Sequence, residues 1–332
     1  MYGSAGWGLF LLIESYREMA DTQEILQVLR AVAEGTRLRL LALCAEGELT
    51  VSELTQITGQ SQPRISRHLK LLVEGGLLDR FREGTHAYYR LSESGPWTSI
   101  VRTIVEAVPT EDDMVARDLC RLNAVKQERA RLAAEFFKNN AEQWDSIRSL
   151  YIDDREVEQA FFALWPQRPV VDLLDVGTGT GRILEMVADQ VEHGVGIDLS
   201  RDMLSVARVN LERAGIKHCH VRHGDMNQAP FGDASFDMVT FHLVLHYADR
   251  PGLALLEAAR VLRAGGTALV IDFIPHQERV LGDEHGHRWF GFEDAEILAW
   301  FDEAGLERRA SVTLPGNPLT VKLWPAVKIA AR

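Results

Sequence analysis

The sequence predicts an α/β protein with two domains joined by a helical connector. In the first third of the chain, apolar residues recur at helical spacing and are followed by two short β segments. The middle of the chain is charged and helical and carries no strand pattern. Beyond Pro169, short apolar strands alternate with helices, the pattern of a doubly wound, Rossmann-like parallel sheet. The predicted parts are a weakly ordered extension over 1–20, a small helical domain over 21–108, a connector over 109–165 and the sheet domain over 166–332.

Composition and charge narrow the class of protein. The chain has 332 residues, 46% hydrophobic and 25% charged, which excludes collagen-like and low-complexity proteins. No run approaches the roughly 18 apolar residues of a membrane-spanning helix. Three cysteines are too few for a disulfide framework, which favours a reducing cytoplasm. The net charge of −12 means that any contact with DNA must come from a local basic patch. The weakly ordered extension over 1–20 is interpreted as an effect of start-codon choice, with Met19 as the expected start.

The N-terminal domain begins with a helical pattern over 22–45. Thr50 and Glu53 have the spacing of a capping box and predict a helix from Thr50 to about Gly59. Another helix is predicted from Ser61 to Glu74, followed by strands over 77–82 and 86–91 joined by a turn over 83–85, and by a helix over 97–107. Two helices separated by a short turn and followed by a hairpin predict a winged helix-turn-helix.

The helix over 61–74 has one apolar and one basic face. Ile65, Leu69 and Leu72 share the face that packs inward, and Arg67 lies nearly opposite. Residues 61–90 carry six basic and three acidic side chains, so the patch is basic within an acidic protein. Arg and Gln pair with base edges, and Lys suits phosphate, as do Arg80 and Arg82 in the wing. The predicted DNA contacts are Gln62, Arg64, Ser66, Arg67, Lys70 and Arg82.

Four stretches resemble the ArsR family of bacterial repressors: 33–41 (AEGTRLRLL), 61–72 (SQPRISRHLKLL), 76–78 (GLL) and 88–91 (YYRL). The resemblance implies a homodimer that binds operator DNA, with the first and last helices of the domain at the dimer interface. The alternative is a winged helix used for protein contacts. Many family members sense metals through a cysteine pair, but residues 47–54 (GELTVSEL) contain no cysteine, so metal sensing of that kind is not expected.

The sheet domain opens with residues 172–181 (DLLDVGTGTG), a strand that runs into a glycine-rich turn before a helix. Glycines let the backbone approach a ligand closely, and a helix N-terminus favours an anionic group. The next strand ends in Asp198, and a third ends at Asp225. Because ligands bind at the carboxyl ends of strands in doubly wound sheets, these residues predict one ligand site.

This set of motifs resembles the class I S-adenosylmethionine-dependent methyltransferases. By that resemblance the glycines line the methionine part of the cofactor, Asp198 holds the ribose, and Asp225 bonds the adenine amine. S-adenosylmethionine, or its product S-adenosylhomocysteine, is the implied ligand. The implied cofactor-binding residues are Asp175, Gly177, Thr178, Gly179, Gly181, Asp198, Leu199, Met203, Asp225, Met226 and Phe241. The resemblance also makes 262–267 the turn before the fifth strand and 319–324 the last strand.

Catalytic residues are less clearly marked. His242 and His246 follow the fourth predicted strand, and either could be a general base near neutral pH or a packing residue. A later run contains His276, His285 and His287 with Arg288, for which a substrate-pocket lid is favoured over a metal site. Several cysteines near the cofactor would be needed to methylate arsenic, and this domain has only Cys219.

Besides a DNA or protein methyltransferase with a targeting module, two functions are open from the sequence. One is a regulator that binds DNA and senses S-adenosylmethionine or S-adenosylhomocysteine. The other is an enzyme that methylates a small molecule and uses its winged helix for autoregulation or dimerisation. Methylation of DNA bases is not expected, because residues 241–244 (FHLV) stand where such enzymes carry an Asn or Asp-Pro-Pro-aromatic motif.

Overall fold

The computed structural model describes residues 22–83, 86–92, 95–139, 154–278 and 287–329. The predicted extension over 1–20 and the turn residues 84 and 85 lie outside these ranges. The chain divides into two compact units, Met1–Glu128 and Arg129–Arg332. The division falls within one long helix that starts at Asp113 and ends at Asn139. Within the described ranges, no helix is both long and apolar enough to cross a membrane.

The first unit is a winged helix-turn-helix. Its sheet has the order β1-β3-β2, and β2 pairs with β3 as an antiparallel hairpin from Leu78↔Leu91 to Glu83↔His86. Its elements are α1 (Thr22–Val32), α2 (Gly35–Ala45), β1 (Leu49–Thr50), α3 (Val51–Thr58), α4 (Gln62–Glu74), β2 (Leu78–Glu83), β3 (His86–Leu91), α5 (Thr98–Glu106) and α6 (Asp113–Asn139).

Local signals explain where the helices of this unit begin and end. Thr50 caps α3 through the predicted reciprocal pair with Glu53, and Gly59 ends the helix in the left-handed conformation at φ +67°. The prediction of one helical region over 22–45 is wrong in one respect, because the helix breaks at residues 33 and 34. Glu34 is extended there and accepts the Arg37 N–H at 3.0 Å, which caps a new helix.

The second unit is a doubly wound sheet covered by helices, as the sequence predicts. Its elements are α7 (Asp154–Ala163), β4 (Asp172–Val176), α8 (Arg182–Val187), β5 (His193–Asp198), α9 (Arg201–Arg213), β6 (Cys219–His223), β7 (Phe236–His242), α10 (Pro251–Val261), β8 (Leu262–Phe273), α11 (Asp294–Glu303), β9 (Leu306–Arg308), β10 (Val312–Leu314) and β11 (Val321–Lys328).

Strand order places a ligand crevice in this unit. The order is β10-β11-β8-β7-β4-β5-β6, with β9 beside β11, and the strands from β8 to β6 run parallel. The chain passes from β4 to β5 and β6 on one side and then returns to β7 on the other side of β4. Connections therefore leave β4 and β7 in opposite directions, which opens a crevice at their carboxyl ends.

The predicted turn over 262–267 is not a separate turn. These residues already belong to β8, and the pairing register with β7 shifts between Phe236 and Met238. Gly265 has φ +74°, so the irregularity is absorbed inside the strand at a glycine.

Candidate functional site

Helix α4 carries most of the predicted DNA contacts and is called the recognition helix below. It has one buried face and one exposed face. Ile65, Leu69 and Leu72 are fully buried, which confirms the predicted inward face. The opposite face is exposed over the whole length of the helix. It carries the five predicted DNA contacts of this helix: Gln62, Arg64, Ser66, Arg67 and Lys70. Arg80 and Arg82 are exposed on β2, in the wing.

Helix α6 packs on the helix-turn-helix. The Arg39 guanidinium donates to both carboxylate oxygens of Asp118, at 2.5 and 2.8 Å, and to the Thr58 carbonyl at 3.3 Å. Arg121 donates to the carbonyl of Ile57 at 2.9 Å. Two arginines therefore satisfy carbonyl groups at the end of α3, immediately before the turn that leads to α4.

In the second unit, the glycine-rich turn after β4 depends on its glycines in different ways. Gly177 has φ +69°, and a Cβ there would lie 2.1 Å from Cγ2 of Val244, after β7. Gly179 has φ +52° and open space where its Cβ would lie. Gly181 has φ +83°, and a Cβ there would lie 3.2 Å from Cβ of Ala207 on α9. Gly177 is thus fixed by packing, whereas Gly179 borders free space at the crevice.

Asp198 connects the ends of three strands. Its carboxylate accepts the Gly179 N–H at 2.9 Å and the Ser200 N–H at 2.8 Å, and its carbonyl accepts the Gly224 N–H at 3.1 Å. The structure therefore brings the glycine turn, the end of β5 and the end of β6 together. These contacts also occupy part of the hydrogen-bonding capacity of the carboxylate.

Asp175 and Thr178 lie beneath this surface. Asp175 is 1% exposed, and its carboxylate accepts the Thr240 hydroxyl at 2.7 Å. Burial raises the pKa of Asp175 to about 7. Thr178 is also buried, and the absence of a side chain at Gly196 makes room for it. Both residues support the turn from inside.

The remaining predicted cofactor residues have differing surroundings. Leu199 is 58% exposed beside Asp198. Asp225 is exposed and accepts the Asn227 N–H at 2.8 Å. Met203 and Met226 are half-buried. Phe241 is 1% exposed and packs within the sheet core, apart from the exposed members of the set.

The two candidate catalytic histidines occupy different places. His242 ends β7 and lines a small cavity of about 20 Å³, together with Phe161 and Arg182. His246 is 1% exposed, and its Nδ1 lies 2.7 Å from Oδ1 of Asp272, which is fully buried in β8. Asp272 is not among the site residues predicted from the sequence. Its signal was a single charged residue in the otherwise apolar run 268–273 (ALVIDF).

Two further imidazole rings, those of His276 and His287, lie near this pair. The ring centroid of His246 lies 4.0 Å from that of His287, and the rings of His246 and His276 lie 5.2 and 5.7 Å from Phe273. His285, the remaining histidine of the predicted run, lies outside the described residues. In the described part of the chain, no three His, Cys, Asp or Glu side chains are arranged to hold a metal ion.

The residues around the glycine turn fit S-adenosylmethionine. Free space at Gly179, a carboxylate at the end of β5 and the half-exposed apolar side chains beside it match the charged, ribosyl and adenine parts of such a molecule. When bound, this cofactor supplies an activated methyl group on a sulfonium sulfur.

Comparison with known proteins assigns both units. The family model "Bacterial regulatory protein, arsR family" matches residues 34–80, and the model "Methyltransferase domain" matches residues 174–270. The arsenical resistance operon repressor of Escherichia coli is 42% identical over 103 residues, which cover 30% of this chain and 86% of the repressor.

The uncharacterized methyltransferase YcgJ of Bacillus subtilis is 29% identical over 115 residues, which cover 35% of this chain. The match spans about half of that relative's length, 46%. The crystal structure of YcgJ has a TM-score of 0.47 at 18% identity, covering 53% of this chain and all of that one. The chain belongs to the arsR family of bacterial regulatory proteins, and its winged helix-turn-helix is fused to an S-adenosylmethionine-dependent methyltransferase domain.

Proposed function

We propose that this protein is a cytoplasmic transcriptional regulator that binds operator DNA as a homodimer and responds to S-adenosylmethionine or S-adenosylhomocysteine. The observation that carries the proposal is the recognition helix. Its outer face is exposed and basic in a chain of net charge −12, which suits a surface kept for DNA. S-adenosylhomocysteine is the favoured effector, because its concentration reports how heavily methyl groups are being used.

In the proposed DNA complex, α4 lies in the major groove. Gln62, Arg64, Ser66 and Arg67 are near enough to its N-terminus to reach base edges. Lys70 is one turn further along and is 74% exposed, so it suits a phosphate. Arg82 in the wing takes a second phosphate contact.

Dimerisation is supported by an apolar surface on α1. Ile25, Leu26 and Leu29 are 42%, 36% and 52% exposed, although the other face of this helix packs in the core. A second copy that covered these side chains would bury them. Replacing Leu29 with Glu is expected to halve the mass of the particle in light scattering and to weaken DNA binding, because each half-site would then be bound separately.

Helix α6 is the proposed route between ligand and DNA. It begins in the first unit, where Asp118 and Arg121 contact the helix-turn-helix, and ends in the second unit. A ligand that shifts this helix would act on the carbonyl groups of Ile57 and Thr58, directly before the recognition helix. Coupling of 1–3 kcal/mol is typical of such systems.

The test is a set of isothermal titrations with S-adenosylmethionine and S-adenosylhomocysteine, each with and without inverted-repeat DNA from upstream of the protein's own operon. Coupling must be reciprocal. If a ligand lowers the affinity of the protein for DNA by some factor, DNA must lower the affinity of the protein for that ligand by the same factor. Arg121→Ala is expected to bind both partners and to reduce this factor. Arg117→Ala, at an exposed position on the same helix, is the matched control. Equal affinities in all conditions would contradict the regulatory proposal.

A second candidate function is methylation of a small molecule, with the winged helix serving autoregulation or dimerisation. The observation that favours it is the buried contact between His246 and Asp272, since a histidine oriented by a carboxylate is a common general base. Measurement of methyl transfer to small-molecule acceptors would distinguish an enzyme from a sensor.

A further inference from the structure

The carboxylate of Asp272 contacts both the imidazole ring and the backbone N–H of His246. Oδ1 of Asp272 lies 2.7 Å from Nδ1 of the imidazole, and Oδ2 accepts the His246 backbone N–H at 3.3 Å. Oδ1 also accepts the N–H of Phe273 at 2.9 Å. With the carboxylate ionised, the proton of a neutral imidazole stays on Nδ1. Asp272 therefore fixes the ring orientation and leaves Nε2 as the basic nitrogen.

Nε2 of His246 is buried and has no hydrogen-bond partner among the described residues. The same holds for Nε2 of His276, whose Nδ1 accepts the Glu278 N–H at 3.3 Å. A buried polar atom without a hydrogen-bond partner destabilises the folded state. A polar group supplied by a ligand would satisfy these two nitrogens, which lie on rings that share contact with Phe273.

The histidines lie close beneath the surface. Tyr247 and Phe290 are each 39% exposed. The Tyr247 ring centroid lies 4.2 Å from that of His246, and the Phe290 ring centroid lies 5.7 Å from that of His276. The Phe273 ring lies behind the histidines. A ligand that displaced either half-exposed ring would meet a site walled by aromatic rings, which suits a flat apolar body carrying a polar group.

We propose that His246, positioned by Asp272, is the proton acceptor for a phenolic methyl acceptor. This inference rests on the second candidate function and assigns it to O-methylation. The phenol loses its proton to Nε2 as its oxygen bonds to the methyl carbon, and the carbon–sulfur bond breaks with its electron pair going to sulfur. A neutral imidazole works near neutral pH, and phenols are acidic enough to donate to it.

Asp272 and the aromatic neighbours of His246 set the electrostatic surroundings of its ring. Asp272 lies on β8 and would stabilise the imidazolium. Burial lowers the pKa of His276 and raises the pKa of Tyr247 to about 12, so neither is charged near pH 7. The His287 ring also contacts the His246 ring. The next residue, Arg288, is paired with Asp249.

The experiment uses the full chain saturated with S-adenosylhomocysteine and 4-nitrophenol as the probe, because its phenolate absorbs visible light. We expect the wild-type protein to ionise bound 4-nitrophenol at a pH below that at which the free probe ionises. His246→Gln and Asp272→Asn are expected to lower the ionised fraction of bound probe at least tenfold. S-adenosylhomocysteine affinity, measured in parallel, reports whether each variant still folds.

His220→Gln, on strand β6, is the matched histidine control and is expected to behave as the wild type. If His246→Gln does not fold, Asp272→Asn carries the test. Three results would overturn the inference: no ionisation by wild type, normal ionisation in Asp272→Asn, or loss confined to a His242→Gln variant. Methyl transfer to non-phenolic small-molecule acceptors, measured in parallel, tests the second candidate function separately: it persists if only this inference fails and is absent if the protein is not a methyltransferase.

Discussion

The carboxylate of Asp118 holds the guanidinium of Arg39 by two contacts, although the two residues are 79 positions apart in the chain. Their side chains are 4% and 12% exposed. Leu122 and Val125, on the following turns of the same helix, are buried in the core of the first unit. The first part of α6 is therefore built into the winged helix-turn-helix by an ion pair and by apolar packing.

Asp118→Asn is expected to destabilise the first unit by about 1.5–3 kcal/mol, because it removes the counter-charge of a partly buried guanidinium. The matched control is Glu135→Gln, which breaks an exposed pair with Arg131 on the same helix. Exposed pairs of this kind are worth less than about 1 kcal/mol. Unfolding in urea measures both variants, and equal loss of stability would contradict the role given to Asp118.

Arg67→Ala and Lys70→Ala are expected to weaken DNA binding in different ways. Loss of Arg67 removes a base contact and should reduce discrimination between operator and unrelated DNA, at a cost of about 1–3 kcal/mol. Loss of Lys70 should weaken binding to all sequences and lower the slope of log affinity against log salt by about one.

Titrations over a range of salt concentrations measure both effects. Arg117→Ala removes the same charge from an exposed position outside the recognition helix and should leave the salt slope nearly unchanged. A double variant of Arg67 and Lys70 that binds and footprints as the wild type would show that α4 does not contact DNA.

Much of this architecture follows from local sequence signals. The capping box at Thr50, the apolar face of α4 and the alternation of strands and helices each depend on residues close together in the chain. The break between α1 and α2 escaped prediction because apolar spacing continues across it. It is marked by the capping bond of Glu34 and by the Arg37 guanidinium, which donates to the Arg30 and Ala31 carbonyls at the end of α1. Asp118–Arg39 and Asp272–His246 join distant residues, so neither spacing nor helical periodicity could reveal them.

Gly177 and Gly179 provide a matched pair of tests for the glycine turn. Gly177→Ala would push a methyl group into Val244, at 2.1 Å, and is expected to destabilise the second unit strongly. Gly179→Ala meets no atom within 4 Å, so only its positive φ costs stability, about 1 kcal/mol. Because this space is where the cofactor is proposed to lie, Gly179→Ala should nevertheless lose S-adenosylhomocysteine affinity at least tenfold.

Thermal unfolding and calorimetric titration separate the two effects. Val244→Ala is expected to restore part of the stability lost in Gly177→Ala, since it removes the atoms nearest the added methyl group. If Gly179→Ala binds S-adenosylhomocysteine as tightly as the wild type, the cofactor does not approach this part of the turn.

Asp175 should make the second unit less stable as pH rises. In the unfolded chain the carboxyl group loses its proton near its ordinary pKa of 3.8, whereas burial raises the pKa to about 7 in the folded protein. Between these values the folded state binds more protons than the unfolded state. The contribution of the Asp175 carboxyl group to the unfolding free energy is therefore fully present below pH 3.8 and is lost as pH rises through 7.

The difference in unfolding free energy between the wild type and Asp175→Asn isolates this contribution, because Asn cannot ionise and can still accept the Thr240 hydroxyl. We expect the wild type to lose up to about 4 kcal/mol of unfolding free energy relative to Asp175→Asn between pH 4 and pH 8, at about 1.4 kcal/mol per pKa unit. Asp202→Asn, at an exposed position on α9, is the control and should show no such trend. A constant difference between wild type and Asp175→Asn across this range would mean that the folded protein ionises Asp175 at its ordinary pKa.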